Sequence, residues 1–311
     1  MLPISFFDAH CDTVSCCTHL GWNMANSIGH VDFERGSMFE RYAQIFAIYY
    51  DPLKAPADGM FAEFNRQKEM FFQQLHLNET AVMHCKTAED LDCAENTHKI
   101  AALLSVEGAD LLNCDPAKLD AASDVGVKMI NLTWNRANAI SGTNAEERDR
   151  GLSQTGVDFV KRAQELGILM DVSHLSDAGF WDLVDITEKP IVASHSNART
   201  LCAHTRNLTD DMFRAILETN GFVGINFYSP FVGLDNSINA IFAHLEHFLE
   251  MGGERTVGFG ADWDGCDQMP EKIRGIQDMD RIYDKMLQRN YSEQLIHNIF
   301  YGNLKRTIFD R

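Results

Sequence analysis

The sequence predicts a (β/α)8 barrel, and three observations carry that expectation. Eight short, nearly continuous apolar runs recur along the 311 residues, each followed by polar or glycine punctuation and then a helical stretch. Runs that are apolar on both faces suit the strands of a parallel sheet covered by helices. Finally, no run leads into a phosphate-cradling GxGxxG turn: GFGADWDG from Gly258 has its glycines in the wrong order and no helix behind it, which disfavours a doubly wound sheet.

Taken in order, the runs are ISFFDAH from Ile4, YAQIFAIYY from Tyr42, IAALLSVEG from Ile100, VKMINLTW from Val127, ILMDVSH from Ile168, PIVASHS from Pro190, FVGINFY from Phe222 and TVGFGAD from Thr256. A shorter run, TAVMHC from Thr80, reads as a satellite strand. Between them, Ala62 to Leu77 places apolar residues at helical spacing. Ser153 caps a helix that reaches Leu166 and stops at Gly167. Thr209-Asp210-Asp211 opens an amphipathic stretch to Leu217, with Gly221 beyond it, and Ile238 to Met251 ends at Gly252-Gly253. No linker, low-complexity segment or change of composition divides the chain, so residues 1–311 read as one barrel domain. Such barrels routinely reach about 250 residues.

Composition narrows the partners. Lys and Arg number 27 against 45 Asp and Glu, a net charge of −18, which argues against nucleic acid and anionic membranes. Eight cysteines without a CxxC pair, in a chain with an ample apolar fraction, read as reduced thiols and point to the cytoplasm. The apolar stretch at Leu2 to Phe7 is cut short by Asp8 and reads as neither leader nor membrane span, and the polar C-terminal residues do not read as a lipid-anchor tail. A homodimer is compatible with all of this.

In a barrel of this kind the chemistry lies at the C-terminal ends of the strands. The first run ends in DAHCDT, where His10 and Asp12 are two apart and share a side of an extended segment, with Cys11 pointing away. The third ends at Glu107, the fifth at His174, the sixth at His195, and the eighth carries Asp262 and Asp264. So many ionisable groups on one buried rim need a counter-charge. A metal supplies it, and imidazole with carboxylate is the donor set that Zn2+ takes when no thiolate is offered. Five ligands, His10, Asp12, Glu107, His174 and His195, exceed one open tetrahedral site and suit two Zn2+ ions per chain sharing Glu107, which lies between the other groups around the ring. His244 and His247 read as surface groups, and the remaining histidines show no ligand pattern.

DAHCDT, SVEG, LTW, DVSH, ASHSNAR, the TRN at Thr205, GADWDG and the late YGNLKR together resemble the renal (membrane) dipeptidase family of the amidohydrolase superfamily, in order from Phe7 to Arg306. The resemblance implies a binuclear zinc hydrolase that cleaves dipeptides, those with a C-terminal D-residue included, by a metal-bridging hydroxide. It implies one zinc site at His10, Asp12 and Glu107 and another at Glu107, His174 and His195. Arg206 matches the arginine that holds the substrate carboxylate, and Asp262 the proton shuttle, with Asp264 a neighbouring alternative. One position departs: a Leu-Thr-His motif of the dipeptide-cleaving members reads Leu132-Thr133-Trp134 here. Indole offers one N–H where imidazole can donate, accept or carry charge, so Trp134 is expected to line the substrate pocket as an apolar wall, with Asn135 or Asn138 as polar substitutes. The reading is thus a cytoplasmic zinc dipeptidase. Its rivals are a deacylase of N-acyl amino acids and a weakly catalytic metal-binding protein.

Overall fold

Every apolar run named above becomes a strand, and every strand pairing is parallel. The computed structural model describes residues 2–310 except Leu234. The strands are β1 (Leu2–Cys11), β2 (Phe39–Tyr49), β3 (Val82–His84), β4 (Ile100–Glu107), β5 (Val127–Asn131), β6 (Leu169–Asp171), β7 (Val192–Ala193), β8 (Phe222–Ile225) and β9 (Val257–Phe259). Eight of them close in the order β1-β2-β4-β5-β6-β7-β8-β9 and back to β1, the expected barrel. The ninth, β3, is the satellite: it pairs with Ile100 to Ala102, on the edge of β4 that β5 occupies from Leu104 onward.

Helices fill the intervals for the local reasons the sequence suggested. The side chains of Ser153, Ser176 and Thr209 accept hydrogen bonds from the backbone N–H of Gly156, Gly179 and Met212, capping Gln154–Glu165, Asp177–Ile186 and Asp210–Glu218. Thr87 and Asp90 form a reciprocal capping box on Ala88–Asn96. Among the described residues no helix is long and apolar enough to cross a membrane, and all eight cysteines are free.

Residues alternate along β4 between lumen and helical shell, and all eight are buried. Leu103 shares its face with Glu107, and across the register it meets Ile45. Phe7, Met129, Leu169 and Phe222 join it in one apolar cluster, completed by Leu304 and Ile308 of the last helix, Asn303–Phe309. The lumen is therefore packed below and polar only at the mouth.

Two backbone devices shape that mouth. Asp8 pairs with Gln44 but Cys11 with Phe46, so β1 spends three steps where β2 spends two. This extra residue is a β-bulge that turns His10 and Asp12 onto the lumen face and leaves Cys11 in the shell. At the ends of β7, β8 and β9, a Cβ on Gly260 would lie 1.6 Å from the Ser194 carbonyl oxygen, and one on Gly224 2.0 Å from it. Only glycine lets these strand ends approach closely enough to carry His195 over the lumen.

Candidate metal centre

The strand ends bring all five expected ligands together. His10 Nε2 lies 3.6 Å from Asp12 Oδ2 and 3.7 Å from Glu107 Oε2. The other oxygen, Glu107 Oε1, lies 2.9 Å from His174 Nε2 and 3.5 Å from His195 Nε2. One carboxylate thus faces two groups of nitrogen donors, one through each oxygen. All five side chains are buried.

Their surroundings fix how they point. Asn135 Oδ1, an acceptor only, lies 2.9 Å from His174 Nδ1, so that nitrogen carries the proton and Nε2 presents a lone pair inward. His195 Nδ1 is held by Ser194 Oγ at 2.6 Å. The two Nε2 atoms stand 3.2 Å apart. Such outer contacts orient metal-ligating imidazoles.

Burial pushes His174 and His195 well below the usual imidazole range, reinforced by the positive charges of Arg206 and His10. Burial also acts to lower His10, but Glu107, Asp12 and Asp262 overcome it and hold the ring protonated up to about pH 10. Glu107 is raised well above the carboxylate range, chiefly by burial. His174 and His195 are thereby kept in the neutral form that ligates a divalent cation, and a cation bound there would displace the proton that His10 shares with its neighbouring carboxylates. His10 Nδ1 and Nε2 and Asp12 Oδ1 are buried without hydrogen-bond partners, so the residues present fit a metal. Among the described residues, two three-donor groupings lie close enough to hold an ion: His10, Glu107 and His195, and His10, Asp12 and Asp262.

Asp262 and Asp264 separate clearly. Asp262 Oδ1 lies 3.9 Å from His10 Nε2, while Oδ2 accepts from Asn226 Nδ2 at 3.0 Å. Asp264 is turned to Thr13 Oγ1, 2.6 Å away, and to the His30 backbone N–H at 2.5 Å, bracing the loop that contains His30. Two apart in sequence, they would share a side of an extended segment, but β9 ends at Phe259 and both residues are left-handed, with φ of +64° and +65°. His174, at φ +75°, is strained in the same way, a conformation non-glycine residues adopt where surrounding structure enforces it.

Arg206 lies behind the second histidine pair, only 5% exposed. Its guanidinium reaches Ser196 Oγ and the His195 carbonyl at 3.4 Å each, and Nε has no partner. Trp134 is half-buried at the mouth, its ring centroid 4.9 Å from Tyr49 and 6.3 Å from His174. The ligands open into a cleft of about 900 Å3 lined by Tyr49, Trp134, Tyr228, Phe231 and Asp267. Arg206 opens into an adjoining hollow of about 1000 Å3 that shares Trp134, Asn135 and Phe231.

The polar substitutes expected for Trp134 are otherwise engaged. Asn135 orients His174, and Asn138 donates to Asp110 and the Leu132 carbonyl. His244 is a correction: it is fully buried, accepting from the Ala198 N–H and bonded to the Val232 carbonyl. Its neighbour His247 pairs with Asp210, distant in sequence and therefore invisible to a local search for carboxylates. Asn226, which anchors Asp262, escaped the sequence reading because it ends a run with no titratable signal.

A closed parallel barrel whose C-terminal rim gathers three imidazoles and three carboxylates, without a thiolate, belongs to the metal-site barrels. The chain is a member of the membrane dipeptidase family, peptidase family M19, whose model matches residues 2–310. It is 29% identical over 259 residues to an uncharacterised protein in the pqqA 5′ region of Klebsiella pneumoniae, covering 77% of this chain and 95% of that one. It is 33% identical over 241 residues to an uncharacterised dipeptidase of Schizosaccharomyces pombe, covering 71% and 58%. A crystal structure of a Rhodobacter sphaeroides metallopeptidase, liganded with a phosphinate mimic of the dipeptide L-Ala-D-Ala, superposes with a TM-score of 0.89 at 23% identity, over 98% of this chain and 99% of that one. That likeness establishes the fold.

Proposed function

We propose that the protein is a binuclear zinc dipeptidase that hydrolyses dipeptides, including those with a C-terminal D-residue. The observation that carries this reading is Glu107, whose two oxygens face His10 on one side and His174 and His195 on the other. His10, Asp12 and Glu107 would hold one ion, and Glu107, His174 and His195 the second. Bound there, the pair would polarise the scissile carbonyl and acidify a water near neutral pH.

The remaining work falls to the chain itself. Asp262 is positioned to take a proton from the attacking water and return it to the leaving amine, with Asn226 fixing which oxygen is free. Arg206, buried and with an unpartnered Nε, binds the C-terminal carboxylate and sets the register of the substrate. Asp267 in the cleft and Asp51 in the adjoining hollow offer partners to a free ammonium, which favours dipeptides over N-acyl amino acids. Trp134 and Tyr49 give the cleft an apolar wall. Family membership supports the reaction class, and the L-Ala-D-Ala mimic held by the Rhodobacter protein supports acceptance of D-residues. The eight free thiols support a cytoplasmic setting.

Metal analysis of protein purified without chelator, with a screen of L,L and L,D dipeptides and their N-acetylated forms, tests the reading. Two zinc ions per chain and turnover that requires the free amine are expected. A protein that holds no zinc after zinc is supplied, or that prefers N-acetylated substrates, overturns it.

A further inference from the structure

Two buried aspartates outside the ligand set do the same job on opposite walls of the barrel. Asp8 stands two residues before His10, and Asp171 three before His174. Asp8 Oδ1 accepts the His10 N–H at 3.0 Å, and Oδ2 accepts the Ala261 N–H at 3.1 Å. It therefore fastens the bulge of β1 to the chain leaving β9, one residue before Asp262. Asp171 Oδ1 accepts the Ser173 N–H at 2.9 Å and the Ser194 N–H at 3.0 Å, one residue before His174 and one before His195. Ser173 Oγ continues the brace by accepting the His195 N–H at 3.1 Å. Both carboxylates are fully buried.

We propose that Asp8 and Asp171 are a matched pair of positioning residues, each locking one ligand-bearing strand end to its neighbour. Asp8 sets the His10 and Asp12 side against Asp262, and Asp171 sets His174 against His195. Neither lines the cleft or the adjoining hollow. A backbone N–H at a bulge or beyond the last ladder pair of a strand has no ladder partner and needs another acceptor. A buried carboxylate meets that need with strong charge-assisted bonds. Outer contacts of this kind are typically worth about 10–100-fold in metal affinity.

The two braces differ in one testable detail. Gln44 Nε2 also donates to Asp8 Oδ1, so both oxygens of Asp8 are used as acceptors. Asp171 accepts both amides through Oδ1, and Oδ2 has no partner. An amide can therefore replace Asp171 and keep both bonds. At Asp8 it would set an NH2 group against a backbone N–H.

This inference rests on the metal-site reading, and zinc binding by the unmodified protein checks that reading first. Zinc affinity of the metal-free protein is then measured by chelator competition for Asp8→Asn, Asp171→Asn and Asp171→Ala, with Co(II) absorption spectra to report ligand geometry. Asp8→Asn and Asp171→Ala are expected to lose about 10–100-fold in affinity and to alter the cobalt spectrum. Asp171→Asn is expected to stay within about threefold of the unmodified protein, with an unaltered spectrum, if the shared-oxygen geometry holds. If Asp171→Ala does not fold, the two asparagine variants carry the comparison. Equal affinities and spectra for Asp8→Asn and Asp171→Asn would overturn the proposal, whether both matched the unmodified protein or both fell.

Discussion

The floor and the mouth of this barrel are equally dry and chemically opposite. Phe7, Leu103, Leu169 and Phe222 on the floor are at most 1% exposed, and His10, Glu107 and His195 at the mouth are at most 3% exposed. On the floor, burial is itself the favourable term, worth roughly 25 cal/mol per Å2 of apolar surface. At the mouth the same burial is unfavourable: it pushes two imidazoles down and a carboxylate up, leaves polar atoms unpartnered and coexists with left-handed backbone at His174 and Asp262. Depth alone does not distinguish core from site; the sign of the burial energy does.

The sharpest way to break this contrast is to remove the shared ligand. Glu107→Ala should abolish binding of both ions and lower dipeptide turnover by three orders of magnitude or more, about 4 kcal/mol in barrier. Thermal stability of the metal-free variant should hold or rise, because a strained buried carboxylate is gone. Metal analysis and calorimetry on the same sample read both effects, and a metal-free variant that melts far below the metal-free parent would contradict the contrast.

On the floor the order reverses. Leu103→Ala should reduce stability by about 2–5 kcal/mol, the range for a large-to-small change in a packed core, while zinc stoichiometry is retained. Denaturant unfolding gives the first number and metal analysis the second.

Arg206→Ala sharpens the picture within the mouth. Loss of a charge-assisted pair should weaken kcat/KM on dipeptides by about 10–100-fold, and on dipeptide amides by much less. Equal losses on the two substrate series would assign Arg206 a purely structural part.

Trp134→His tests the apolar wall. If the indole occupies a place where a polar group could reach the reacting centre, kcat should rise by about tenfold with KM nearly unchanged. A variant that keeps its zinc and gains nothing would show that this position does not limit the reaction.

The smallest effect lies at the barrel's outer base. His84 on β3 is held between Phe71 and Phe72, with ring centroids 5.4 and 5.3 Å away, and burial, then the charge of Lys86, lowers it from 6.5 to about 4. As pH falls from 6.5 towards 4, the unfolded chain takes up a proton that the folded chain refuses, so stability falls across that window. His84→Leu should flatten this part of the curve, seen as a smaller drop in Tm between neutral and mildly acid pH.

The floor was readable from the sequence because apolar periodicity and helix caps are local. All eight barrel runs and the satellite strand appear, and Ser153 and Thr209 cap where their side chains suggested. The residues gathered at the mouth were readable because each stands at or just beyond the end of an apolar run. What stayed hidden depends on partners far along the chain. Asp264 is held away from Asp262 by Thr13 and His30, over 230 residues away. His244 is buried because Ala198 and Val232 fold over it. The bulge in β1 is likewise set by pairing with β2 rather than by any residue within it.

The seam between β1 and β9 carries a consequence for how the protein is made. These strands share one ladder pair, Asp8 with Phe259, followed by Cys11 against Trp263 and a 2.8 Å bond from the Asp12 N–H to the Trp263 carbonyl. His10 and Asp12 are synthesised some 250 residues before the wall that confines them. A nascent chain therefore carries His10 and Asp12 without that wall until Trp263 has been made. Closure of that seam, a contact of very high sequence separation, completes the wall around His10 and Asp12.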